Sequence, residues 1–156
     1  MTDNINQTKT SQYPFYIHDQ YIKDLSFENP NFLLKYNEPD SNKQPEVAVN
    51  VETRVAKLSE ENYEVSMTVS AKSTLEKTSI FVLELTYAGL VSVAQDLKPD
   101  ILETSLLVHC PFLMFPFVRE IIANVTRNGG YPPLMIDPID FASLYLEKKK
   151  DNSKLN

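Results

Sequence analysis

The stretch Tyr63-Glu64-Val65-Ser66-Met67-Thr68-Val69-Ser70-Ala71 decides the fold class. Tyr63, Val65, Met67, Val69 and Ala71 are apolar, and Glu64, Ser66, Thr68 and Ser70 between them are polar. Successive side chains of a strand point to opposite faces, so a period of two predicts a strand with one buried face. Residues 46–58 repeat the pattern, with Val47, Val49, Val51 and Val55 on one side and Ala48, Asn50, Glu52 and Arg54 on the other. The polar loops 59–62 and 72–74 are short enough for antiparallel hairpins. A third strand is expected over 79–88. Phe81, Leu83, Leu85 and Tyr87 make one of its faces, while Ile80, Val82 and Ala88 make much of the other, with Glu84 and Thr86 among them. A strand apolar on both sides needs cover on both sides, or a partner. Ala88-Gly89 reads as a tight turn and residues 90–94 as a short fourth strand.

Upstream, residues 1–11 read as a disordered lead. Residues 13–32 are aromatic-rich, with a short extended piece at 21–28, and residues 32–45 look like a loop with two prolines. Downstream the pattern turns helical. A helix starts between Asp96 and Pro99, carries Ile101, Leu102, Leu106 and Leu107 as an apolar stripe, and is interrupted by Pro111. A second helical segment, 112–127, places Phe115, Val118, Ile122 and Val125 at helical spacing, and Gly129-Gly130 stops it. Asp137 suits the cap of a last helix, with Pro138 at its first position and Phe141, Leu144 and Tyr145 on its apolar side. Lys148, Lys149 and Lys150 suit its C-terminal end. No internal repeat and no domain boundary interrupts the chain.

The 156 residues carry a net charge of −6, which argues against nucleic acid, because phosphate binding needs a basic footprint. The single cysteine, Cys110, cannot form an intrachain disulfide and fits a reducing compartment. The first thirteen residues have no apolar run of the signal-peptide kind, so a cytosolic location is expected. Residues 105–126 hold only two charged side chains, Arg119 and Glu120. With Pro111, Pro116 and His109 inside it, this stretch is expected as a helix buried in protein, with no direct insertion in a membrane.

Catalytic chemistry is missing. The two histidines, His18 and His109, offer no zinc spacing with Cys110, and no nucleophile-elbow or phosphate-loop pattern occurs in a chain with three glycines. Asp19, Asp24 and Glu28 read as a solvated acidic edge. No enzyme activity, no metal and no cofactor are expected.

Several pieces, in order, carry a resemblance. They are Tyr21-Ile22-Lys23-Asp24-Leu25-Ser26-Phe27-Glu28-Asn29-Pro30-Asn31, then Gln44-Pro45-Glu46-Val47 and Tyr63-Glu64-Val65. Cys110-Pro111 follows, then Leu113-Met114-Phe115-Pro116-Phe117-Val118-Arg119-Glu120. Tyr131-Pro132-Pro133-Leu134 and Pro138-Ile139-Asp140-Phe141 complete the set. From about Tyr21 to Leu146 the chain resembles the SecB family of protein-export chaperones. The resemblance implies an α+β fold, with helices on one side of a four-stranded antiparallel sheet, assembled as a dimer of dimers. It also implies an ATP-independent holdase for unfolded preproteins that delivers them to the SecA motor. The chaperone domain is expected over 13–147, between a disordered lead, 1–12, and a disordered basic tail, 148–156.

The resemblance also assigns sites. The client groove maps to Val47, Val49 and Val51, to Phe81, Leu83, Leu85 and Tyr87, and to Val125 and Leu144. The SecA-binding patch maps to Asp24, Glu28, Val82 and Glu84. Parity fits this division, since Val82 and Glu84 point opposite to Phe81, Leu83 and Leu85. The low-charge helix fits a homotetramer interface, because interface cores are depleted of charge. Three positions depart from the family. Lys43 stands where a Trp is common, Ala88-Gly89 replaces a Gly-Gly pair, and the C-terminal tail is not acidic. Two other readings stay open, a SecB-like chaperone dedicated to an antitoxin and a small-molecule-binding or catalytic α+β domain.

Overall fold

The alternating segments β2, Glu46–Lys57, β3, Asn62–Leu75, and β4, Thr78–Val93, pair with β1, Phe15–Glu28, into a four-stranded antiparallel sheet in the order β1-β4-β3-β2. The computed structural model describes residues 12–37 and 43–154, so the expected lead, apart from Gln12, lies outside the described residues. The fourth strand is not 90–94. It is β1, Phe15–Glu28, which pairs along the other side of β4. The extended piece expected at 21–28 is its second half. Two β-bulges, at His18 and Lys23, break its alternation and hide it from a period-two reading.

Ala88-Gly89 is not a turn either. β4 runs unbroken for 16 residues, and Gly89 pairs with Gln20 on one side and Val65 on the other. The glycine serves close approach: a Cβ there would lie 3.2 Å from Met114 Sδ and 3.4 Å from Ile17 Cγ2. The expected loop 72–74 belongs to β3 instead. The hairpin turns at Glu76 and Lys77, both left-handed with φ of 48° and 69°. This is the backbone that Asn-Gly favours, and its absence from the turn concealed it.

Helices cover one face. α1 is a six-residue helix, Phe32–Asn37, at the start of the expected loop 32–45, of which residues 38–42 lie outside the described residues. α2, Pro99–Thr104, passes through a π turn, Ser105–His109, into α3, Cys110–Asn128. The interruption expected at Pro111 takes this form. Proline donates no backbone bond and crowds the carbonyl four residues earlier, and the widened turn, with Cys110 N–H on Ser105 O, carries the helix across without a break. The chain stays irregular from 131 to 140, where Ile136 is buried and Ile139 partly so. α4, Phe141–Lys154, therefore starts three residues later than expected, and its cap is Asp140. Both Asp140 carboxylate oxygens bond Ser143, from its N–H at 3.0 Å and its hydroxyl at 2.8 Å, and these bonds hold the Asp140 pKa below its usual value. α4 also continues through Lys148 to Lys154, where a disordered tail was expected, with Lys148 Nζ donating to Thr53 O at 3.0 Å.

The core lies between the helices and the inner face of β3 and β4. Val65, Met67, Val69, Leu83, Leu85, Met114, Val118 and Ile122 have no exposed surface. By length and composition the helix over Pro99–Asn128 is apolar enough to cross a membrane, yet only 39% of its most apolar window is buried in this chain. One side of α3 seals the sheet, and the other presents Phe112 and Phe117, each more than half exposed.

Candidate client groove and docking face

The expected groove residues fall into three tiers. Leu83 and Leu85 are sealed in the core, and Phe81 and Tyr87 are buried. Burial also pushes the Tyr87 phenol pKa up. Val51, Val125 and Leu144 are half-buried against that core. Val47 and Val49 are 43% and 41% exposed. They share the inner face, because Val49 pairs with Ala71 and Val51 with Val69, but the helix bundle stops short of them. The structure thus brings Val49, Val51 and Leu144 to the wall of one trough between β2 and α4, with a cavity of about 350 Å³. A second cavity of about 340 Å³ continues the trough past Thr53 and Val55 to Leu107 and Tyr145. Leu83 and Leu85 line neither cavity and form the layer beneath.

An aromatic cluster sits across the sheet from the Val47 end of β2, where Ser73 pairs with both Val47 and Phe81, and only Phe81 of it was expected. Phe81 lies 5.7 Å from Phe27 and 5.0 Å from Tyr131 between ring centroids, and Tyr131 meets Phe32 edge-on at 5.6 Å. The irregular pairing that skips Ile80 lets both Ile80 and Phe81 bury here. Asn29 joins the parts: its Nδ2 donates to Gly129 O at 3.0 Å, and the Tyr131 hydroxyl donates to its Oδ1. The chain after α3 is held by Thr126, whose carbonyl accepts from Tyr131 N–H at 3.2 Å and whose hydroxyl accepts from Leu134 N–H at 2.9 Å. The sequence signal for this cluster was the aromatic content of 13–32 together with Tyr131 beside the double glycine. Lys43, which replaces the family's Trp, pairs with the Glu76 carboxylate at the exposed hairpin turn.

The outer face carries the second set. The register pairs Glu28 with Val82, Ser26 with Glu84 and Asp24 with Thr86, so Asp24, Glu28, Val82 and Glu84 come together on one face of the two adjacent strands. Three exposed carboxylates and a half-buried valine share this face. Lys72 pairs with Val82 from the β3 side and brings a cation that the sequence reading did not include. Farther along the same face, the Tyr21 hydroxyl and Lys23 Nζ, the latter at 2.6 Å, both donate to the Glu64 carboxylate. The bulge at Lys23 and the small Ala88 between Tyr21 and Ser66 permit this bridge across β4. Lys23 first, then Tyr21, holds the Glu64 pKa below the carboxylate range, and the bond to Glu64 pushes the Tyr21 phenol up to about 12. Among the described residues no three His, Cys, Asp or Glu side chains gather to hold a metal ion. Cys110 is sealed, and burial lifts its thiol to about 12, far from reactive thiolate.

The family model described as "Preprotein translocase subunit SecB" matches residues 8–152. The chain belongs to the SecB family. The protein-export protein SecB of Parvibaculum lavamentivorans is 45% identical over 129 residues, covering 83% of this chain and 75% of that protein. The protein-export protein SecB of Xanthobacter autotrophicus is 36% identical over 153 residues, 98% of this chain and 96% of the relative. That of Rickettsia massiliae is 42% identical over 140 residues, 87% and 88% of the two chains. Among solved structures, the Mycobacterium tuberculosis SecB-like chaperone in complex with a ChAD peptide from the HigA1 antitoxin superposes with a TM-score of 0.66. The match covers 81% of this chain and 91% of that one at 13% identity, a likeness of fold alone. The SecB fold so identified accounts for the four-stranded antiparallel sheet and its one-sided helical cover.

Proposed function

We propose that this SecB-family chain is an ATP-independent holdase, not an enzyme, that binds unfolded preproteins in the cytosol, keeps them translocation-competent and hands them to the SecA motor. The observation that carries the reading is the two-sidedness of β4. Its inner side closes on an apolar layer that continues to the β2–α4 trough, and its outer side presents Val82 and Glu84 beside Asp24 and Glu28. An extended polypeptide needs a long apolar trough with sequence-tolerant contacts. An acidic patch around an apolar centre suits a basic docking partner and sets the on-rate of encounter. The groove is assigned to Val47, Val49, Val51, Val125 and Leu144, over a floor of Phe81, Leu83, Leu85 and Tyr87.

The export reading is preferred to a chaperone dedicated to an antitoxin. Relatives at 36–45% identity that match most of the chain bear the export name, and the antitoxin complex is 13% identical. The assembly is assigned as a homotetramer, a dimer of dimers. Support comes from the uncovered side of α3, where Phe112 and Met135 border a groove of about 820 Å³, and from Ile22 and Leu25, exposed on the inner side of β1. Light scattering of a reduced, denatured precursor tests the holdase: aggregation must be suppressed without ATP, and unaltered aggregation refutes the reading. Asp24→Lys combined with Glu84→Lys must weaken SecA binding by at least about tenfold while leaving client binding intact, in line with the loss on reversing charges of a docking patch. A native mass near that of one chain would remove the tetramer.

A further inference from the structure

Ile80, Phe81 and Tyr131, with the partly buried Phe27, Phe32 and Leu75, form an apolar cluster separate from the main core. Most of its members belong to firmly held backbone. Phe27 pairs with Leu83 and Phe81 with Ser73 in the sheet, and Tyr131 is fixed through Asn29 and Thr126. Phe32 is seated differently. It opens α1, whose six residues are too few to be stable as a helix alone. The next two side chains, Leu33 and Leu34, are 67% and 40% exposed, so among the described side chains of α1 it is the Phe32 ring that packs into the body. Beside it, Asn31 Nδ2 donates to Ser79 O at 2.7 Å.

The seat itself is shaped for a ring. Tyr131 offers its ring at 75° to that of Phe32. Gly130, at φ +93°, leaves room that a side chain would fill, since a Cβ there would lie 2.5 Å from Phe32 Cε2. An aromatic side chain from another chain finds the same edge-to-face contact and the same bare backbone.

We propose that Phe32 is an internal plug: it occupies an aromatic seat of the client groove, and an unfolded polypeptide binds there by displacing α1 with a Phe or Tyr of its own. The inference rests on the holdase reading. The plug keeps an adhesive seat covered until a competing ring arrives. It lowers client affinity by the fraction of time the seat is open, and a seat closed about nine-tenths of the time weakens binding about tenfold.

The chain has no tryptophan, so Phe32→Trp provides a single fluorescent reporter at the seat. The probes are a dye-labelled, unstructured Gly/Ser-rich peptide with one central Phe, and its twin with Ala in that place. Saturation with the Phe peptide, followed by dye anisotropy, must shift the Trp emission to the red as the ring moves into water. Phe32→Ala must tighten the Phe peptide about tenfold and the Ala peptide far less, since removing a competitor restores the closed fraction. Asn31→Ala must move affinity the same way by a smaller factor. Phe-peptide binding that is equal or weaker in Phe32→Ala, or that leaves the Trp emission unmoved, overturns the plug while the holdase reading survives. Failure of every variant and of the native protein to bind either peptide or a denatured precursor sinks both.

Discussion

Val49 and Ala71 face each other across the β2–β3 ladder, on the same side of the sheet. Ala71 is 1% exposed and Val49 41%. The β3–β4 half lies beneath α3, whose Met114, Val118 and Ile122 interlock with it. The β2 edge receives the π turn at Ser105–His109 and α4, which is anchored by the buried Phe141 at one end. Beyond that anchor Leu144 is only half-buried and polar contacts take over: the Tyr145 hydroxyl donates to the Glu103 carboxylate, and Lys148 reaches Thr53 O. The same alternation of apolar residues thus yields a core on two strands and an open trough on a third. The alternation selects a face, and cover decides whether that face becomes core or binding surface.

The sharpest way to break this comparison is a matched pair of truncations. Leu85→Ala, in the sealed half, should cost about 3 kcal/mol in urea unfolding, through lost transfer energy and the cavity left behind. Val49→Ala, on the half-open edge, should cost under about 1 kcal/mol, since little of its surface leaves water on folding, and should instead weaken client binding. Equal destabilisation would show that the β2 edge is core. Gly89→Val tests the same half from the packing side. Its added methyls meet Met114 and Ile17, and overpacking of this kind should destabilise by about 1–3 kcal/mol. A stable variant would mean that α3 has slack over β4.

Lys77→Gly sharpens the picture of how β3 and β4 are joined. A left-handed lysine is strained, so the glycine should stabilise by about 1 kcal/mol, read as a raised denaturant midpoint. Glu64→Gln probes the outer face and carries the smallest effect. The folded pKa of Glu64 is depressed, so its contribution is present above the unfolded value of 4.5 and lost as pH falls through the lowered one. Tyr21 has the opposite sign: its phenol is raised, so that part of the bridge holds below pH 10 and is lost as pH climbs toward about 12. The native protein should therefore lose its stability advantage over Glu64→Gln at both extremes. Thermal melts across pH that run parallel for the two proteins would show the bridge to be inert.

Much of the architecture was legible because it depends on periodicity. β2 and β3 declare themselves through alternating valines, and α3 through Phe115, Val118 and Ile122. β1 stayed half-hidden because two bulges shift its parity, and a shift of one residue moves every side chain to the other face. The turns were misread where local chemistry did not match backbone demand: Gly89 sits in mid-strand, while Glu76 and Lys77 occupy the left-handed turn. Within the site, the acidic patch was readable because it needs only parity and register. The groove was not, because exposure of Val49 and burial of Leu85 depend on where α3 ends and α4 begins. The aromatic cluster was out of reach for a related reason, since Phe27, Phe32, Phe81 and Tyr131 meet only through tertiary folding.

The open edge of β2 has a consequence for the protein's own solubility. A twelve-residue edge strand with valines on one face is a template for pairing with a second copy of itself. On the other face Glu52 and Arg54 place opposite charges along the strand, Lys57 adds one at the end of the valine face, and Lys148 donates to the Thr53 carbonyl from α4. Charges on an edge are a means by which sheets resist stacking into aggregates. A surface that must adhere to unfolded chains is thereby bordered by groups that disfavour adhesion between folded ones, and replacing Glu52, Arg54 and Lys57 with Thr would invite the chaperone to become its own client.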